Sequence, residues 1–273
     1  MPGWTSGACV ANGIDIHYLR TGAGQPTPGA ARPPLILLHG LIGSGACWTP
    51  VARALEADCD VLMPDARGHG RSSTPTHGYR YDDLASDALG FIRALGLAAP
   101  IVLGHSMGGM TAAVAASRGA GLIRGVILVD PTFLTPERQR EVYESDVAEQ
   151  HRRLLAVDRG ELLAQQRARQ PHRSPELIEL LVEARLQTRM SAFEVLRPPN
   201  PDYRKLVRAI DVPGLLVIGD APVVSLETAR ELETLNPRLR VEQIAGAGHG
   251  VPYDQPERLA AAVGSFIRSL APA

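Results

Sequence analysis

The sequence predicts an α/β fold: a mostly parallel sheet flanked by helices, interrupted once by an inserted helical cap. Three observations carry that expectation. Short apolar runs alternate with helix-patterned segments along most of the chain, as they do when parallel strands are joined by crossover helices. Most central runs are apolar throughout rather than at every second residue, which suits strands covered on both faces. The alternation then stops between about 135 and 210, a span too long for an ordinary loop and therefore carrying structure of its own.

Taken in order, strands are expected at 14–19 (IDIHYL), 34–40 (PLILLHG), 60–65 (DVLMPD), 100–106 (PIVLGHS), 125–130 (GVILVD), 214–220 (GLLVIGD) and 240–246 (RVEQIAG). The Gly/Pro-rich stretch 21–34 reads as an exposed loop between the first strands. Thr49 followed by Pro50 marks a helix start, because the hydroxyl can cap and proline suits the first helical position. That helix should run to about Ala57, with others over 82–95, 107–117, 225–235 and 256–270. Inside the strandless span, amphipathic Arg/Glu-rich helices are broken by Pro171, Pro175, Pro198, Pro199 and Pro201. Residues 1–132 and 211–273 thus form the expected core. Residues 133–210 form a cap over the carboxyl ends of the strands, where such sheets hold their ligands.

Composition narrows the function classes. The 273 residues carry 28 Lys+Arg against 29 Asp+Glu, a net charge of −1. That balance argues against nucleic acid, whose phosphates need a concentrated basic excess. Lys205 is the single lysine. With 45% apolar and 21% charged residues the chain is not disordered. Its apolar runs are strand-sized, well short of the roughly 20 residues that span a membrane. Cys9, Cys47 and Cys59 are too few and irregular for a disulfide framework or zinc site. The N-terminus lacks a basic start followed by an apolar run, so a cytoplasmic setting is expected rather than secretion. Gly22-Ala23-Gly24 lacks the third glycine of a dinucleotide loop. No cofactor or metal is implied, and the expected partner is a small-molecule substrate. Oligomeric state is not legible.

The chemistry concentrates at Gly104-His105-Ser106-Met107-Gly108-Gly109, which follows an apolar strand and precedes a helix. This is G-x-S-x-G in a strand–turn–helix setting. The sharp turn needs neighbours without side chains, and the helix start favours negative charge beside the serine. A serine hydroxyl is a weak nucleophile unless a base lies within hydrogen-bond reach. Further motifs are His39-Gly40-Leu41, Asp65-Ala66-Arg67-Gly68-His69-Gly70-Arg71-Ser72 and Gly246-Ala247-Gly248-His249-Gly250. Together these resemble the α/β-hydrolase-fold superfamily, serine hydrolases with a helical cap, and the sheet pattern extends the likeness over nearly the whole chain outside the cap. The resemblance implies an eight-stranded, mostly parallel sheet.

The same resemblance implies Ser106 as nucleophile and His249 as general base, with the backbone amides of Leu41 and Met107 as oxyanion hole. Two positions are open for the acid. Relatives with G-x-x-D after the seventh strand would place it in 219–224, where this chain has Pro222 instead and Asp220 two residues early. Others carry the acid on the strand after the nucleophile, which is Asp130 here. Asp130 is the preferred candidate and Asp220 the alternative, although Asp130 also reads as a turn residue before Pro131. The segment 65–73 reads as a glycine turn stapled by Asp and Arg rather than as catalytic machinery.

The implied reaction is hydrolysis of a carboxylic ester or lactone of a small to medium apolar substrate through an acyl-enzyme. Serine at 106 excludes the haloalkane dehalogenase and epoxide hydrolase branches, which need aspartate there. A hydrolase of carbon–carbon bonds in diketones or ring-cleavage products stays open, as do a low-turnover ligand receptor and a cofactor-free oxygenase on the same fold. Candidate substrate contacts are Trp48, Phe133, Leu134, Met190 and Val251, with Tyr143 and Phe193 beside them. Core packing explains each of them as well.

Overall fold

The computed structural model describes residues 3–22, 32–119 and 121–270. Residues 23–31, most of the loop expected at 21–34, lie outside that description, as do Ala23 and Gly24. Eight strands build one sheet: β1 (Thr5–Ala11), β2 (Ile14–Arg20), β3 (Pro34–Leu38), β4 (Asp60–Pro64), β5 (Ile101–His105), β6 (Gly125–Val129), β7 (Gly214–Ile218) and β8 (Leu239–Gln243). Their order is β1-β2-β4-β3-β5-β6-β7-β8. The pairs β1–β2 and β2–β4 are antiparallel, and the rest of the sheet is parallel.

The strand missing from the sequence reading is β1. Its residues, TSGACVA, are small or polar and largely exposed, because an edge hairpin strand needs only one protected face. Five of the six parallel strands, β3–β7, are buried almost throughout. Alternate side chains serve opposite faces, as the period of two requires. Ile36, Leu38, Val102 and Leu128 join one apolar cluster with α2 (Tyr81–Ala94) and α3 (Met107–Arg118). Leu35, Leu37, Ile101 and Leu103 join the other with α1 (Thr49–Leu55) and the C-terminal helix Pro256–Ser269.

Between β6 and β7 the chain forms α4 (Pro136–Glu144), α5 (Val147–Leu154), α6 (Arg159–Arg169), α7 (Pro175–Gln187), a 3-10 turn at Met190–Leu196, and α8 (Tyr203–Ala209). Side-chain oxygens of Thr135, Asp158, Ser174 and Asp202 cap α4, α6, α7 and α8, each satisfying an amide that has no partner in the first turn. A small apolar cluster of Leu162, Leu163, Ile178 and Val182 joins α6 to α7. The last helix departs from the expected boundary at 210. It packs on α3 and on α9 (Leu226–Leu235), and Tyr203 and Val207 share the cluster of the sheet helices. It therefore belongs with the core layer. The chain closes with α10 (Val251–Asp254) and α11 (Pro256–Ser269). Among the described residues no helix is long and apolar enough to cross a membrane.

Candidate active site

Parallel pairing aligns the ends of β3, β5 and β6: Leu38 lies opposite Gly104, and His105 opposite Val129. The residues just beyond those ends, Gly40-Leu41, Ser106 and Asp130, are thereby brought to one edge. The chain leaves β8 through a loop that returns to the same edge carrying His249.

Ser106 sits between β5 and α3 with φ +56° and ψ −117°, a left-handed φ that a non-glycine residue adopts only under constraint. The constraint is close backbone packing. A Cβ on Gly104 would stand 2.0 Å from the Gly108 carbonyl oxygen, and one on Gly108 2.2 Å from that of Leu38. Only glycine fits at either place. The turn is tied down by the Ser106 amide donating to Val129 O at 3.1 Å.

His249 Nε2 lies 3.0 Å from Ser106 Oγ, and its Nδ1 lies 2.6 Å from Asp130 Oδ2. A carboxylate accepts, so Nδ1–H donates to Asp130 and Nε2 presents a lone pair to the serine hydroxyl. Asp130 is fully buried, and the amides of Val223 and Val224 each donate to it at 2.9 Å. Asp220 is exposed and holds a different group, accepting from the Gly246 amide at 2.7 Å. The Asp220 amide itself donates to Ala247 O at 2.6 Å. It staples the loop that bears His249, and the structure brings Asp130 rather than Asp220 to the imidazole.

Three more histidines shape this edge. His105 donates from Nε2 to the His249 carbonyl at 2.8 Å. Burial first, and the neighbouring His249 second, push its pKa down to about 3, so it stays neutral. His39 Nε2 accepts from the Ala66 amide at 2.9 Å, which leaves Nδ1–H to donate to Gly40 O at 2.8 Å. The Gly43 amide also donates to Gly40 O, at 2.9 Å. Two donors on that carbonyl fix the Gly40–Leu41 peptide plane, whose N–H points the opposite way. Among the described residues neither the Leu41 nor the Met107 amide donates to a protein acceptor. His69 contacts the Leu41 carbonyl from behind, and burial lowers its pKa to about 4.

The 65–73 turn braces this arrangement. Asp65 accepts from the amides of Gly45 at 2.7 Å and Arg71 at 3.0 Å and from His17 Nδ1 at 2.8 Å. Arg67 forms a buried ion pair with Asp87.

Ser106 and His249 open into a cavity of about 490 Å³ whose far wall comes from α5, α6, α7 and the 3-10 turn. Phe193 lines it, as the sequence suggested, but Trp48, Phe133, Leu134, Met190 and Val251 do not. Trp48 and Val251 are buried in the cluster beneath the sheet. Phe133 stacks on Tyr203 with ring centroids 5.1 Å apart. Leu134 is half-buried, its carbonyl taken by Gln139, and Met190 is half-buried outside the lining. Tyr143 is exposed on α4. Residues that sequence reasoning missed include His151, Gln166, Arg173, Arg185 and Tyr253. Nothing local in the sequence singles out Arg185, which shares the end of α7 (LLVEARL) with Glu183.

The chain matches the family described as the alpha/beta hydrolase fold over residues 33–256, and it belongs to that family as a hydrolase. It is 30% identical over 268 residues to N-formylmaleamate deformylase of Pseudomonas putida, covering 96% of each chain. A solved N-formylmaleamic acid deformylase from Pseudomonas putida S16 superposes with a TM-score of 0.79 at 27% identity, over 95% of this chain and all of that one. An esterase from Rhodococcus gives a TM-score of 0.75 at 28% identity, over 97% of this chain and 99% of that one.

Proposed function

We propose that this protein is a serine hydrolase that cleaves a carboxylic ester or lactone of a small to medium substrate through an acyl-enzyme. One observation carries the reading: a single imidazole lies 3.0 Å from Ser106 Oγ on one nitrogen and 2.6 Å from a buried carboxylate on the other. In this reading Ser106 Oγ attacks the carbonyl carbon as its proton passes to His249 Nε2. The oxyanion is held by the Leu41 and Met107 amides. His249 returns the proton to the leaving oxygen, and a water activated the same way releases the acid. Asp130 keeps the imidazole in the required tautomer and stabilises the imidazolium without taking the proton. The 490 Å³ cavity fits a small-molecule acyl compound.

The deformylase relative favours a second reading, in which the scissile bond is that of an N-acyl amide. The carbon–carbon reading uses the same three side chains on a diketone. The experiment is a parallel assay of phenyl acetate, a γ-lactone, an N-formyl amide and a vinylogous 1,3-diketone, with Ser106→Ala as control. The ester or lactone should turn over fastest, with kcat falling about ten-thousand-fold in Ser106→Ala. Faster cleavage of the amide or the diketone replaces the ester assignment. Equal turnover by Ser106→Ala removes the nucleophile.

A further inference from the structure

The wall of the cavity facing Ser106 carries two arginines, and they differ in one respect. Arg173 is committed to the protein: its Nη2 lies 2.7 Å from Asp254 Oδ1, both side chains are largely buried, and the guanidinium rests over the Tyr253 ring. Arg185, on α7, lines the same cavity half-buried and has no carboxylate or carbonyl partner among the described residues. Among the described residues no Asp or Glu lines the cavity. A guanidinium withdrawn from water without a counter-ion is costly, and its planar fork matches a carboxylate with two parallel hydrogen bonds. Arg169, on the facing helix α6, adds a second positive charge, and burial together with that charge lowers the Arg185 pKa.

Two uncharged groups point the same way. Gln166, one turn before Arg169 on α6, lines the cavity with its side-chain amide unengaged among the described residues. His151 is 2% exposed, and its Nε2–H goes to Thr188 O at 3.1 Å. Its Nδ1 is buried, without a partner, in the same lining.

We propose that Arg185 and Gln166 form a carboxylate-binding subsite, so that the substrate carries a free carboxylate besides the acyl group presented to Ser106. Half-esters and half-amides of short dicarboxylic acids are the class that fits. This rests on the serine-hydrolase reading, and the test separates the two.

The full-length protein is titrated calorimetrically at fixed ionic strength with glutarate and, separately, with glutaramide. Glutarate should bind at least about tenfold more tightly than the diamide. Arg185→Gln should reduce that ratio to within about twofold of unity, while Arg185→Lys, which keeps the charge and loses the fork, falls between. Equal binding of the two probes, no glutarate binding up to about 10 mM, or a ratio unchanged in Arg185→Gln overturns the subsite. If Arg185→Gln does not fold, the wild-type ratio together with Arg185→Lys decides the matter. Formation of an acyl-enzyme at Ser106, followed by intact mass with phenyl acetate, reads the other premise. Glutarate selectivity without an acyl adduct keeps the subsite and removes the hydrolase reading, whereas an adduct without selectivity does the reverse.

Discussion

Two aspartates near the candidate site hold different partners, and that difference separates what their substitution should do. Asp130 is enclosed, takes the Val223 and Val224 amides, and meets His249 Nδ1 at 2.6 Å. Asp220 faces solvent and accepts from a loop amide. The substitution Asp130→Asn leaves the size of the side chain and removes its preference for the correct imidazole tautomer. It should lower kcat by about a thousand-fold to ten-thousand-fold, with KM nearly unchanged. Asp220→Asn keeps an acceptor for Gly246 and should stay within about threefold, since exposed substitutions cost little. Steady-state kinetics on one ester reads both, and a larger loss in Asp220→Asn reverses the roles. The sequence narrowed the acid to two candidates because Pro222 occupies the place where many relatives carry it. Choosing between them required the path of the 246–250 loop, which spacing alone does not reveal.

At the scale of elements, what was legible followed from local chemistry. The central parallel strands announced themselves as continuous apolar runs, and α1, α2, α3, α9 and α11 began within a residue of the starts expected from the sequence. The serine turn was legible because its glycines answer to backbone clashes: Gly104 faces the Gly108 carbonyl and Gly108 that of Leu38. Gly104→Ala should therefore destabilise the protein by at least about 2 kcal/mol, read as a lowered denaturant midpoint. A change below about 0.5 kcal/mol contradicts this packing account. What was not legible depends on how distant elements meet. The substrate contacts expected at Trp48, Phe133 and Val251 went into apolar clusters, because an aromatic or branched side chain reads the same whether it faces a core or a cavity. Arg185 and Gln166 carry no pattern of their own. Only the packing of α6 on α7 puts them on one wall.

Across the whole molecule, the site rests on neutral histidines buried between sheet and loops. Burial, aided by a neighbouring histidine, holds His69 at about 4 and His105 at about 3. Unfolded, each takes up a proton near pH 6.5, so the unfolded state binds more protons at mildly acidic pH. Their contribution to stability is complete above about 6.5 and is lost as pH falls toward those values. At pH 5 the loss is about 2 kcal/mol for each, and Tm should lie at least about 5 °C below its value at pH 7. A Tm that holds constant over that interval contradicts the neutral, buried state of the pair. This scale also explains the chain order of the candidate site: Ser106 follows β5, Asp130 follows β6 and His249 follows β8, and parallel strands deliver all three to one edge.

The most direct test of the account is labelling with a fluorophosphonate followed by intact-mass measurement of wild type, Ser106→Ala and His249→Ala. The account predicts a single adduct on wild type, none on Ser106→Ala, and labelling at least about a hundred-fold slower on His249→Ala. An unlabelled wild type, or a Ser106→Ala protein that labels at the wild-type rate, contradicts it.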